Sequence, residues 1–137
     1  MRITDIIVQM SHDRGETGRI GEGVAAQFLE RKGFKVIEKN FRKPWGEIDI
    51  IAEKDGEVRF VEVKTVSRDT SEGGVTREIG YQPEEMAHAS KLQKVARSAE
   101  LYMENKGDDR DFQIDVVTVV LDRSTRKAVC KLYEQVM

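Results

Sequence analysis

Two alternating segments joined by Lys54-Asp55-Gly56-Glu57 constrain this chain more than any other feature. Glu47 to Glu53 and Val58 to Thr65 each alternate in the strand manner, and Asp-Gly between such runs is a strong two-residue hairpin signal. Counting back from the turn pairs Lys54 with Glu57, Glu53 with Val58, Ile51 with Phe60, Asp49 with Glu62, and Glu47 with Lys64. Directly opposed residues share a sheet face, with Cβ atoms roughly 4.5–5.5 Å apart. Glu47, Asp49, Glu62 and Lys64 are therefore expected to project from one face.

Opposed carboxylates repel and weaken a sheet unless something positive stands between them. Magnesium suits that place, since it prefers oxygen ligands and is held by one or two carboxylates while keeping several waters. Such an ion can activate water and stabilise charge developing on phosphorus. Lys64, two residues from Glu62, is placed to contact a phosphate or orient the attacking water. The same pattern also describes an antiparallel hairpin with one solvated, charged face. Ile48, Ile50, Val61 and Val63 supply one apolar face, but Ile51 and Phe60 imply that the other face is partly covered too.

The remaining chain supplies the frame. Ile20, Val24, Phe28 and Leu29 recur at helical spacing, which predicts a helix from about Thr17 to Lys32 with Gly33 as its C-terminal cap. A strand is expected over Lys35 to Asn40, then a loop holding Pro44, Trp45 and Gly46. Ser67 to Gln82 reads as a long exposed loop. Pro83 opens a helix to about Lys106, with Leu92, Val95, Ala99 and Tyr102 on its buried face. Phe112 to Leu121 reads as a central strand, and Lys127 to Tyr133 as the last one. The order is helix, three strands, helix, two strands. A right-handed crossover makes the strands flanking the second helix parallel. The fold class is thus α/β, a mixed sheet flanked by helices.

A chain of 137 residues is the size of one domain. Residues 1–15 read as an N-terminal extension and 16–137 as a single domain. One cysteine, Cys130, excludes an intramolecular disulfide and any cysteine-cluster metal site. No apolar run is long enough to cross a bilayer, and the first ten residues lack a signal-peptide core. No membrane association is expected, and the default location is cytoplasmic. A formal charge of −2 argues against coating nucleic acid by bulk electrostatics, but leaves room for a local basic patch.

Gly21-Glu22, Gly46-Glu47-Ile48-Asp49-Ile50-Ile51 and Phe60-Val61-Glu62-Val63-Lys64 together resemble the YraN family. That family is similar to archaeal Holliday junction resolvases, within the PD-(D/E)XK, restriction-endonuclease-like nucleases. The resemblance covers roughly Gly18 to Val120. It implies a core of helix, three strands, helix and strand. It also implies a Mg²⁺- or Mn²⁺-dependent endonuclease acting on DNA, with four-way junctions as the family-based substrate. Carried over by position, Asp49 and Glu62 would be metal ligands, Val63 would offer its carbonyl, and Lys64 would be the catalytic lysine. Glu22 matches the acid that resolvase-like members add from the first helix. Lys91 matches a lysine at the start of the second helix. Ile48 stands where the motif's proline would be, and the basic residue that usually follows the catalytic lysine is delayed to Arg68.

Other residues carry two readings each. Lys91, Lys94 and Arg97 make either a phosphate-binding stripe or an ordinary solvated helix face. Lys39, Arg42 and Lys43 precede the site and could hold backbone phosphates. Trp45 either stacks on a base or anchors its loop. Asp115, inside an apolar strand, reads as a polar-facing or strand-end aspartate. Symmetric incision of a junction would require a two-fold homodimer. The rival functions are a nucleic-acid-binding module that cuts nothing and a protein-interaction domain on the same fold.

Overall fold

The computed structural model describes residues 2–7, 14–68 and 89–137. Strand β1 (Arg2–Ile7) precedes helix α1 (Arg14–Arg31), and three antiparallel strands follow: β2 (Lys35–Lys43), β3 (Gly46–Lys54) and β4 (Glu57–Arg68). Helix α2 (Ala89–Lys106) then leads to β5 (Phe112–Asp122) and β6 (Lys127–Tyr133). The six strands among the described residues form one sheet in the order β1-β6-β5-β4-β3-β2. Only β4 and β5 run parallel; every other neighbouring pair is antiparallel. This is the mixed α/β core expected from the sequence, with one strand more. β1 pairs with β6 at the sheet edge, from a segment read only as an extension.

The hairpin forms as counted. Asp55 and Gly56 both have positive φ, at 52° and 78°, the conformation a two-residue turn of this kind demands. Lys54 faces Glu57, Ile51 faces Phe60, and the ladder runs on to Ile50 opposite Val61. α1 also closes as expected: the Phe34 amide bonds the Leu29 carbonyl at 3.0 Å across Gly33. β4 continues past the expected loop start at Ser67, because its parallel ladder with β5 extends to Arg68 opposite Asp122. The rest of that loop and the Pro83 start of the second helix lie outside the described residues.

The sheet separates two apolar layers. α1 packs Val24, Ala25, Phe28 and Leu29 against Ile50, Val61, Val117 and Val119. α2 packs Leu92, Val95, Ala99, Tyr102 and Met103 against Ile51, Phe60, Ile114 and Val116. Both sheet faces are therefore covered, as Ile51 and Phe60 implied. One facing differs from expectation. Ile48 joins Ile51 and Phe60 in the α2 layer, whereas Ile50 belongs to the α1 layer. Strict alternation would put Ile48 with Ile50. The alternation breaks where Asn40 takes a φ of 53° in β2, between the Lys39–Ile50 and Phe41–Ile48 pairs.

Asp115 is neither polar-facing nor at a strand end. It is fully buried, and its Oδ2 receives Arg59 Nη1 at 3.1 Å. Its Oδ1 accepts the Gln135 amide and the Gln113 side chain, each at 2.8 Å. Arg59 also reaches Glu134 at 3.0 Å. This network ties the tail after β6 to the middle of the sheet. A buried carboxylate needs such compensation.

Candidate active site

The break in strand alternation shapes the site. Beyond Ile50 and Val61, no further β3–β4 pair forms. Instead the Asp49 Oδ2 accepts the backbone amide of Val63 at 2.8 Å. Asp49 and Glu62 therefore do not sit as an ordinary cross-strand pair. They meet in a splayed part of the hairpin, where Asp49 replaces a backbone carbonyl. Glu47 likewise does not face Lys64: it pairs with Arg42 in the ladder, and their side chains form an exposed ion pair at 3.0 Å.

α1 brings in Glu22. A side-chain carbon at Gly21 would lie 1.8 Å from Thr65 Oγ1, so only glycine lets the helix approach β4 this closely. The next residue, Glu22, is thereby held beside Asp49 and Asn40. Partial burial pushes the Glu22 carboxyl above its ordinary range, with the Asp49 charge adding to the effect. A hydrogen bond from Asn40 and the charge of Arg42 pull the other way. Asn40 was missed at the sequence level. The sequence ends its expected strand at Asn40, where an asparagine is ordinary, and only the extension of β2 to Lys43 places it inside the sheet.

Glu62 is the most perturbed member. Its side chain is 8% exposed. Burial first, then the neighbouring Asp49 charge, pushes its carboxyl up to about 7. Lys91 of α2 forms an ion pair with it and works against that rise. Burial disfavours the Lys91 ammonium, but the Glu62 hydrogen bond and the charges of Glu62, Asp49 and Glu47 outweigh this and raise its pKa. Lys91 thus stands at the carboxylates themselves rather than on a plain solvated helix face.

Asp49 lies within hydrogen-bonding reach of both Glu22 and Glu62. These three carboxylates, with Val63, Lys64, Lys91 and Thr17, line a cleft of about 360 Å³. Lys64 is exposed there. The other expected contacts spread out. Arg42 is engaged by Glu47, Lys43 lies over the Phe41 ring at 5.6 Å, and Arg68 ends β4. Neither Lys43 nor Arg68 lines the carboxylate cleft.

Fold and site together define an α/β domain with a carboxylate–lysine cluster where a central hairpin splays. A family model described as "Uncharacterised protein family UPF0102" matches residues 21–119, which contain every member of that cluster. A UPF0102 protein of Moorella thermoacetica is 38% identical over 120 residues, covering 87% of this chain and 92% of its own. One from Campylobacter jejuni is 36% identical over 105 residues, covering 77% of this chain and 84% of its own. The chain belongs to the UPF0102 family, which is the YraN family of the resemblance. Among the described residues no helix is long and apolar enough to cross a membrane.

Proposed function

We propose that this protein is a cytoplasmic, divalent-metal-dependent endonuclease that hydrolyses phosphodiester bonds in DNA, with branched four-way DNA as its substrate. The observation that carries the reading is the meeting of Glu22, Asp49 and Glu62, from three separate elements, beside the exposed Lys64. Like charges gathered in a half-buried cleft are costly unless a cation is meant to join them.

The donor set fits Mg²⁺ or Mn²⁺: carboxylate oxygens from Asp49, Glu62 and Glu22 and neither sulfur nor imidazole, with Val63, which lines the cleft, adding the carbonyl that the resemblance implies. The cage is not pre-formed, since no group of three or more possible ligands among the described residues is already arranged for a metal. A bound ion would supply Lewis acidity at a phosphoryl oxygen and neutralise charge there. The Val63 amide holds one Asp49 oxygen, and on this reading an ion would take the place of the contacts that Asp49 makes with Glu22 and Glu62. Lys64 would meet a non-bridging phosphate oxygen or orient the attacking water. Lys91, once released from Glu62, would add a second cation for the phosphate.

A cleavage assay over single-stranded, duplex, flap and four-way substrates, with Mg²⁺ and with Mn²⁺, tests the proposal. Loss of all cutting in Asp49→Ala is expected; cutting that survives it unchanged would refute the site. Symmetric incision of a junction further calls for a homodimer, which sedimentation with and without junction DNA decides. One observation favours the rival reading of binding without cutting: Lys91 already balances Glu62. That reading predicts DNA binding with no cleavage on any of the four substrates.

A further inference from the structure

A second cleft, of about 520 Å³, opens from the carboxylates toward α2 and the β2–β3 turn. It is continuous with the first, because Asp49, Glu62 and Lys91 line both. Its far walls are Trp45 on the turn and Lys94 and Arg97 on α2. Three features of these walls are chemically informative.

Trp45 is 39% exposed, one of three large hydrophobic side chains exposed among the described residues. Its ring leans on Phe41, with centroids 5.7 Å apart, so it is braced while part of it remains open. Lys94 and Arg97 are exposed and have no ion-pair partner among the described residues. Helical geometry spaces Lys91, Lys94 and Arg97 by roughly 4.5 Å along the axis, leading away from the carboxylates. The acid on the rim, Glu47, is balanced by Arg42 at 3.0 Å.

We propose that this cleft holds an unpaired nucleotide flanking the scissile phosphate, its base stacked on Trp45 and its phosphates at Lys94 and Arg97. The inference rests on the nuclease reading and shifts its substrate, within branched DNA, from the fully paired four-way junction to branches with a single-stranded segment next to the cut, such as a flap. An aromatic ring offers its face to a base only when that base is unstacked from its neighbours. The exposed Lys94 and Arg97 along the same wall match a backbone running on from the site. A continuous duplex would keep its bases stacked and out of reach of Trp45.

Trp45 is the chain's sole tryptophan, so its emission reports on this cleft alone. The test titrates the full-length protein with a short labelled oligothymidylate and with a blunt duplex of equal length. Each titration is run in chelator and again in Ca²⁺, following Trp45 emission and label anisotropy together. The single strand should quench Trp45 and the duplex should not. Trp45→Ala should weaken single-strand binding about tenfold, with Trp45→Phe close to wild type. Lys94→Glu with Arg97→Glu should weaken it and flatten its salt dependence by roughly 0.7 log units per lost phosphate contact. Anisotropy that rises while Trp45 emission stays constant would overturn this inference and leave the nuclease reading standing. Equal quenching by the duplex, or unchanged affinity in the double charge reversal, would overturn it too. No binding of either probe in either condition would overturn this inference, and the four-substrate cleavage assay then decides the nuclease reading separately. The emission measurement needs no substitution, so it decides even if Trp45→Ala fails to fold.

Discussion

The Asp49 carboxylate accepts the Val63 amide at 2.8 Å, across a hairpin whose backbone pairing stops one residue earlier on β3. A side chain has taken over from a main-chain carbonyl, and this is what opens the sheet. The substitution satisfies a backbone donor that the splayed strands would otherwise leave unpaired. It also fixes the rotamer of the aspartate at the centre of the carboxylate cluster. Asp49 is thus structural and, on the proposed function, a ligand as well.

Divalent metal should raise the melting temperature by relieving repulsion among Glu22, Asp49 and Glu62. Saturation at ~100 times the dissociation constant corresponds to about 2.7 kcal/mol. Differential scanning fluorimetry with Mg²⁺ and Mn²⁺ should show the rise in wild type and lose most of it in Asp49→Ala. A response that persists in both Asp49→Ala and Glu62→Ala places the ion elsewhere.

On the proposed function, Lys64 would act in the chemistry and not in metal binding. Lys64→Ala should melt like wild type and keep the metal-induced rise, while cleavage drops roughly 100-fold or more, as expected for loss of a transition-state contact. An unchanged single-turnover rate would remove this lysine from the reaction.

Glu62 makes metal-free stability depend on pH. Its proton leaves near 4.5 in the unfolded chain and near 7 in the folded one, so between these values the folded state holds the extra proton. Stability from this group therefore falls as pH rises through that window and stays low above it. The loss is on the order of 1–3 kcal/mol, and Glu62→Gln should abolish it. Urea titrations in chelator across the window would show the two proteins diverging; parallel profiles would contradict the assignment.

Gly21→Ala should force α1 away from Thr65, because the added carbon has no room. A cost of about 1–3 kcal/mol is expected from such overpacking. Thr65→Gly in the same chain should recover much of it by removing the obstructing side chain. Destabilisation in the double variant equal to the sum of the singles would show that this contact does not set the helix position.

Asp115→Ala leaves the buried Arg59 with only the half-exposed Glu134 as partner and should cost about 3–5 kcal/mol by chemical denaturation. Replacing both residues with apolar ones of similar size should cost less, since no charge is then stranded. A double variant as unstable as the single would argue that the network does more than compensate its own burial.

The hairpin was legible in the sequence because its determinants are local. Asp55-Gly56 set the turn, period-two alternation set the register, and the ladder from Lys54–Glu57 to Ile50–Val61 followed. The α1 stripe and its Gly33 ending were legible for the same reason, and Asp49, Glu62 and Lys64 stood out on the hairpin, whereas Glu22 and Lys91 came only with the family resemblance. What only the tertiary structure decided lies in contacts between distant residues. The Asp49–Val63 bond ends the ladder, Lys91 of α2 pairs with Glu62, and Gly21 against Thr65 brings Glu22 to Asp49. The same holds for Arg59 with Asp115, 56 residues apart, and for β1 lying on β6. No local propensity encodes such partners. They follow from which layers pack together, as does the facing of Ile48, which joins the α2 layer where alternation counted from the turn would place it with Ile50.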